Sequence, residues 1–110
     1  MSQYTCMIQE GQTADQRRER LEEGLREIGR SSFGDDPSSQ EISWSVVARD
    51  FGWTAGIPST SSLIMRSVPK GLPLDRREAF MRDVCALWES VTGCSTNEVV
   101  VVAWDGPLPL

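Results

Sequence analysis

Residues 2–11 read SQYTCMIQEG, and this stretch decides the fold because it places a strand at the start of the chain. Tyr4, Cys6 and Ile8 fall on one face of an alternating pattern, which is typical of a strand packed under helices. Glu-Gly follows at once, and a helix start follows at Thr13. We therefore expect an N-terminal amine at the mouth of the first strand, with no leader segment before it.

The remaining elements follow from the spacing of the apolar residues and from the positions of glycine, proline and helix-capping residues. A first helix is predicted from Thr13, where Thr-Ala-Asp-Gln has the form of a capping box, until the glycines within 29–34 interrupt it. Alternation predicts a second strand over 42–49, and the segment 50–61 is predicted to be a functional loop too long for a hairpin. The second half supplies a strand, a helix and an apolar strand, over 63–68, 73–93 and 98–104.

The two halves of the chain resemble each other. Gly11 and Gly71 lie 60 residues apart (71 − 11), and so do Asp15 and Asp75 (75 − 15). A tandem repeat of a βαβ unit explains both offsets. A chain of 110 residues supports one core. We therefore predict a single α+β domain, residues 1–110, made of two repeats at about 2–49 and 61–105.

Handedness then predicts the layers of this domain. Right-handed crossovers place both helices on one face of a four-stranded sheet and leave the other face bare. We expect that bare face to carry Val47, Val99 and Val101 and to close against neighbouring subunits.

Composition excludes several classes of function. The net charge of −5 argues against a nucleic-acid partner, and no apolar run approaches the ~18 residues of a membrane span. The chain has no histidine, which removes Ser-His and Cys-His nucleophiles and histidine metal sites. Cys6, Cys85 and Cys94 form no CxxC pair, so we predict buried thiols with no disulfide or metal site. We expect a cytoplasmic protein with no membrane partner.

With these elements in place, the chain resembles the tautomerase superfamily, which includes 4-oxalocrotonate tautomerase, malonate semialdehyde decarboxylase and the cis-3-chloroacrylic acid dehalogenases. The resemblance rests on a first strand that ends in IQEG, on Phe51-Gly52 after the second strand, on tandem βαβ units and on the last strand. It implies a homotrimer or hexamer with sites at the subunit interfaces. It also implies an N-terminal proline amine that acts as base or acid beside cations that hold a substrate carboxylate, with no cofactor.

Ser2 stands at the position of that proline. A small second residue normally permits removal of Met1, and Ser2 would then present a primary amine in nearly the same place. An α-amine has a reference pKa of about 7.7 to 8.0, and burial beside cations lowers it further into the range of a general base. Gln12 replaces the arginine that follows Glu-Gly in 4-oxalocrotonate tautomerase, so the chain departs from that member.

The resemblance also implies roles for other residues. Lys70, the only lysine, aligns with a substrate-binding arginine of the dehalogenase and decarboxylase branches, with a solvated loop charge as the alternative. Arg49 is a second candidate for substrate binding, with an ordinary surface or interface arginine as the alternative. Asp105 resembles a water-activating glutamate of the dehalogenase branch, with a turn residue as the alternative. Phe51 matches a pocket phenylalanine and Trp53 extends that apolar wall. The alternative for both aromatic residues is an anchor on a neighbouring subunit.

Three functional hypotheses follow. The first is an enzyme that acts on a small keto or unsaturated carboxylate by proton transfer from the N-terminal amine, as an isomerase, hydratase or decarboxylase. The second is a non-catalytic relative that keeps the fold as a binding or assembly module. The third is a ferredoxin-like dimer that binds a small ligand between subunits, because the order of elements alone does not separate the two folds.

Overall fold

A computed structural model describes residues 3–108. Its strands and helices, in chain order, are β1 (Tyr4–Gln9), α1 (Thr13–Gln16), α2 (Arg18–Phe33), β2 (Ile42–Val47), β3 (Trp53–Thr54), β4 (Ile57–Pro58), β5 (Ser62–Val68), α3 (Leu74–Thr92) and β6 (Val99–Asp105). Short 3₁₀ helices at Pro37–Ser39 and Thr96–Glu98 precede β2 and β6.

Four strands form one mixed sheet in the order β2-β1-β5-β6. Strand β1 is parallel to β2 and antiparallel to β5, and β5 is parallel to β6. The predicted fold class, a four-stranded sheet with helices on one face, is confirmed. The ferredoxin-like hypothesis is wrong, because the two parallel strands of each unit pair directly, whereas a split βαβ unit has another strand between them.

The core lies between this sheet and the helices. Tyr4, Cys6 and Ile8 are fully buried, as the alternating pattern predicts, and they pack with the apolar stripes of α2 and α3. The Tyr4 hydroxyl donates to the carbonyl of Leu25 at 3.0 Å, so the phenol satisfies its polar group inside the core. Burial raises the pKa of the Cys6 thiol to about 12, which keeps it protonated and inert. Cys85 and Cys94 are free but only half-buried, so the prediction of buried thiols is wrong for these two residues.

The predicted composition of the bare face is wrong for two of its three valines. Val99 belongs to the buried core and Val101 packs against it, so both side chains point toward the helices. Val100 is the residue of β6 that faces away from them, and it is 52% exposed. Val47 pairs with Gln9 on the bare side of the sheet, as predicted. The run Val99–Val102 is apolar on both faces, so its pattern carries no information about which valines point inward.

The predicted first helix is divided into α1 and α2 at Arg17, whose φ and ψ are −122° and 30°. The capping box at Thr13 is wrong, because the N-cap is Gln12 and no side chain caps it. The amide of Gly11 instead donates to the Asp15 carboxylate at 3.0 Å. A complete capping box forms elsewhere, at the 3₁₀ helix that starts after Ser95.

The segment 50–61 was predicted to be a loop too long for a hairpin, but it contains a small hairpin. Trp53 pairs with Pro58 and Thr54 with Ile57, so β3 and β4 form a separate two-stranded sheet. The connecting residues Ala55 and Gly56 both have positive φ, at 52° and 80°, as a two-residue hairpin turn requires. Strand β2 ends at Val47, two residues before the predicted end at 49.

Glycines at matching positions support our proposal that the chain is a tandem repeat. Gly11 and Gly71 both have positive φ, at 78° and 82°, in the turns that connect β1 and β5 to the following helices. Gly34 and Gly93 both end a helix in the left-handed conformation.

Within residues 3–108, none of the helices combines the length and the hydropathy that a bilayer span needs.

We predict that Gly29→Ala destabilises the domain. Helix α2 passes through Gly29, and an added Cβ would lie 2.4 Å from Oε1 of the buried Gln40. The Gln40 amide cannot move away cheaply, because its Nε2 donates to the carbonyl of Arg26 at 2.9 Å. Overpacking of this kind costs about 1–3 kcal/mol. Urea unfolding measures the loss, and the same change made in a Gln40→Ala background should cost much less. Equal costs in both backgrounds would contradict the clash.

Candidate active site

The start of β1 and the ends of β5 and β6 lie together at one end of the sheet, which we call the chain-start edge. Gln3 is held on both sides there. Its amide donates to the carbonyl of Glu41 at 3.1 Å, and its carbonyl accepts from the amide of Ser67 at 2.8 Å. Ser2, whose amine was predicted to be the catalytic base, lies outside the described residues. Because β1 is a central strand, the chain enters this edge between two neighbouring strands rather than along the border of the sheet.

Lys70 lies at the chain-start edge, in a tight turn directly after β5. The amide of Leu72 donates to the carbonyl of Pro69 at 3.2 Å, and Gly71 supplies the positive φ that such a turn requires at its third position. Lys70 is exposed at the tip of this turn. Its ammonium makes no ion pair with any residue in the described part of the chain. It is therefore available to an anion from outside.

Asp105 ends β6 at the same edge, in register with Val68. Its carboxylate accepts from the guanidinium of Arg77 on α3 at 2.6 Å, on the helix side of the sheet. Arg77 also donates to the carbonyls of Ala103 and Leu72, at 2.8 and 3.2 Å. This one side chain therefore joins α3, β6 and the Lys70 turn.

Arg77 was not predicted as a functional residue, although the sequence carries a signal for it. It precedes Phe80 by three residues and Val84 by seven, which is the spacing of the buried stripe of α3. A charged residue on a buried stripe indicates that its charge has a specific partner inside the fold. The partner of Arg77 is the Asp105 carboxylate, which Arg77 holds in place.

A second arginine is buried beneath the chain-start edge and was also missed. Arg66 of β5 is 4% exposed, and its guanidinium lies between the rings of Tyr4 and Phe33, 4.9 and 4.7 Å from their centroids. It donates to the carboxylate of Asp35 and to the carbonyl of Ser67, at 2.6 and 2.7 Å. Its Nη1 has no partner among residues 3–108. The charge of Arg66 is thus paired with that of Asp35. Among residues 3–108, Lys70 is the cation of this edge that has no ion-pair partner.

Arg49, Phe51 and Trp53 lie at the opposite end of the sheet, after β2. Arg49 is exposed, and its guanidinium lies against Gly11, where an added Cβ would be 2.7 Å from Nη2. Phe51 and Trp53 are 81% and 61% exposed. A six-residue strand is about 17 Å long. One subunit therefore does not bring these three residues to Lys70 and Asp105.

No family model and no curated protein matches the sequence, whereas several solved structures share its fold. The crystal structure of native Ps01740 is 27% identical, with a TM-score of 0.85, and the match covers 94% of this chain and 93% of that chain. A fused 4-OT wild-type symmetric trimer is 19% identical, with a TM-score of 0.81 over 94% of this chain and 85% of its own. N1, a member of the cis-3-chloroacrylic acid dehalogenase family, is 13% identical, with a TM-score of 0.83 over 94% and 74%.

The chain has the fold of the tautomerase superfamily. The matches to the fused 4-OT trimer and to N1 are below 25% identity, so they show a shared fold and nothing about activity. Among residues 3–108, no three histidine, cysteine or carboxylate side chains meet in a group that could bind a metal ion.

Proposed function

We propose that this chain is a tautomerase-type enzyme that moves a proton on or off carbon in a small keto or unsaturated carboxylate. The observation that carries the proposal is the central position of β1, with Gln3 held by β2 on one side and β5 on the other. Residue 2 directly precedes Gln3 in the sequence, and its backbone nitrogen is the group that we propose as the base. Removal of Met1 would make that nitrogen the terminal amine.

The amine of Ser2 is proposed as the base and acid of the reaction. Its reference pKa of about 7.7 to 8.0 already lies below that of lysine, and a nearby cation favours the neutral form further. Lys70 lies on the same edge of the sheet and provides that cation. Lys70 would hold the substrate carboxylate and stabilise the enolate that forms when the proton leaves carbon. Asp105, positioned by Arg77, would orient water where the reaction is a hydration.

The proposed site takes residues from more than one subunit. Arg49, Phe51 and Trp53 reach Lys70 only if a neighbouring subunit presents them, because about 17 Å of β1 separates the two ends within one chain. A homotrimer or hexamer is the assembly we propose. The fold is shared with fused 4-OT proteins that form symmetric and asymmetric trimers, which supports this choice. The proposed reaction uses no metal or organic cofactor.

Labelling of the mature chain tests the amine. Pt0534, which has a TM-score of 0.82 to this chain at 21% identity, has been inactivated by 2-oxo-3-pentynoate. The chain without Met1 should lose phenylpyruvate or 2-hydroxymuconate turnover with this reagent. Mass spectrometry should place one adduct on the N-terminal peptide, formed by addition of the amine across the alkyne with its proton passing to carbon. A chain that retains Met1 should be inactive. An assembled protein that lacks Met1 and turns over neither substrate would contradict the proposal.

A non-catalytic binding or assembly module is the second candidate. The Asp105–Arg77 ion pair favours it, because the carboxylate proposed to orient water already has a structural partner. Retention of Met1 in the native host would support this candidate. Asp105→Asn separates the two functions, since it removes the carboxylate proposed to orient water and keeps an oxygen that can accept from Arg77. It should lower hydratase activity in an enzyme and should leave ligand binding by a module unchanged.

A further inference from the structure

A polar cavity lies on the helix side of the sheet, at the end opposite the chain-start edge. Its volume is about 170 Å³, and its walls come from the start of α1, the start of β5, the end of α3 and the 3₁₀ helix that precedes β6. Ser62 begins β5 and Lys70 follows its end, so about 20 Å of strand separates the cavity from the chain-start edge. The bare face that we assign to neighbouring subunits is on the other side of the sheet.

Ser62 places a buried hydroxyl without a partner in the wall of this cavity. Its side chain is 6% exposed and lies on the inward face of β5, which it shares with Ile64. Its hydroxyl makes no hydrogen bond with any residue in the range 3–108. Buried polar groups are nearly always hydrogen-bonded, because an unsatisfied one loses its contacts with water and gains nothing in return. A partner for this hydroxyl therefore belongs in the cavity.

The indole of Trp88 is a second buried group without a partner in the same walls. It is 1% exposed, and its Nε1 has no hydrogen-bond partner within the described part of the chain. The ring packs against that of Trp44, with centroids 6.2 Å apart, so the core fixes its position. Buried indole N–H groups usually find an acceptor. One space is thus bordered by a donor that needs an acceptor and by a hydroxyl that can donate or accept.

The charges around the cavity disfavour an anion. Glu98 lines it, and none of the described residues in its walls is cationic. The Glu98 carboxylate accepts from the hydroxyl of Thr60 at 2.6 Å and from the amide of Ser95 at 2.8 Å, and these hydrogen bonds hold its pKa below the usual value. Glu98 is therefore ionised at neutral pH. The carboxyl end of α3, which also borders the cavity, adds partial negative charge.

The unsatisfied groups also disfavour a cation. The Trp88 indole needs an acceptor, which an ammonium group or a metal ion lacks. Each oxygen of Glu98 already accepts a hydrogen bond from the protein. Gln12 and Thr13 stand at the mouth with side chains that make no hydrogen bond to a described residue. The groups left to bind a ligand are thus hydroxyls, an amide and an indole, all of them neutral.

We propose that this cavity binds a small neutral polyol, with one hydroxyl accepting from the Trp88 indole and another paired with Ser62. Each hydroxyl of a polyol both donates and accepts, as these two side chains require. A cavity of about 150 Å³ holds one benzene molecule, so this one accommodates about six non-hydrogen atoms, the size of glycerol. The inference does not depend on the proposed function, because none of the residues in these walls takes part in the proposed reaction.

Titration of the assembled protein with glycerol, followed by ¹H–¹⁵N NMR of the tryptophan indoles, tests the site. The Trp88 indole proton should shift downfield and reach saturation as it gains an acceptor. The Trp53 indole, which already donates to the carbonyl of Asp50 at 2.8 Å, is the internal reference and should not move. Glycerate and serinol keep the three-carbon skeleton with a negative and a positive charge. Glycerate should not bind, and serinol should bind more weakly than glycerol.

Two substitutions assign the binding to the proposed side chains. Ser62→Ala removes one partner and should weaken glycerol binding about 2- to 10-fold, and Trp88→Phe, which keeps a ring but no donor, should weaken it similarly. Ser61→Ala is the matched control, since it removes the hydroxyl of the preceding residue, outside the cavity walls, and should leave binding unchanged.

Three results would overturn the inference. The first is a Trp88 shift that is absent, or that rises linearly with glycerol without saturation, as a solvent effect does. The second is a Ser62→Ala variant that binds glycerol as Ser61→Ala does. The third is a long-lived water at the Trp88 indole proton, seen by its nuclear Overhauser effect, that glycerol does not displace. Because Ser62→Ala exchanges one small side chain for another, it keeps the test decisive even if Trp88→Phe fails to fold.

Discussion

Asp35→Ala is expected to lower the free energy of unfolding by about 3 kcal/mol, the largest loss of stability that we predict for a single surface-accessible residue. Asp35 is 27% exposed, but its partner Arg66 is 4% exposed and lies between two aromatic rings. Removal of the carboxylate leaves a guanidinium that is buried without a counter-charge. Urea unfolding at neutral pH measures the loss, and a domain of this size should also melt roughly 10 °C or more lower.

Two comparisons show whether burial of the cation causes this loss. Glu27→Ala removes a carboxylate that pairs with Arg30 on the exposed surface of α2, and solvent screening should leave stability nearly unchanged. Arg66→Met combined with Asp35→Ala replaces the buried pair by an apolar side chain and should recover most of the stability. If Asp35→Ala and Glu27→Ala have equal effects, the buried pair is not an important part of the fold.

The fold could be predicted because its main signals are local. Alternation in β1 and the helical stripes of α2 and α3 each depend on residues close in sequence, and the order of elements then leaves few topologies. The missed features lack such signals. The β3–β4 hairpin has only two residues in each strand, and the valines of β6 are apolar on both faces. The break at Arg17 follows from a backbone conformation that composition does not mark.

The candidate site could be predicted less completely, because its residues meet through the sheet. Lys70 and Asp105 follow from the fold, since parallel strands β5 and β6 end at the same edge. Arg66 was missed although it shares the inward face of β5 with Ile64 and Val68, a pattern that marks a buried cation.

Lys70→Ala is expected to lower kcat/KM for phenylpyruvate by between about 10- and 150-fold, the largest functional effect that we predict for a single substitution. A hydrogen bond between charged partners contributes about 1.5–3 kcal/mol, and each 1.36 kcal/mol corresponds to a factor of ten. Lys70 should hold the carboxylate both before and during proton transfer, so the change should raise KM and also lower kcat through the loss of enolate stabilisation. The parent protein should also lose affinity for phenylpyruvate as ionic strength rises, because Lys70 is exposed.

Charge and geometry at this position are separable. Lys70→Arg keeps the cation and adds a planar fork that binds a carboxylate through two hydrogen bonds, so it should match or exceed the parent. Arg82→Ala is the matched control, since it removes an exposed cation from the outer face of α3 and should leave kcat/KM within twofold. A Lys70→Ala variant with the kinetics of Arg82→Ala would place carboxylate binding elsewhere. Arg49 of a neighbouring subunit would then be the next candidate, because its guanidinium is exposed at the edge that such a subunit would present.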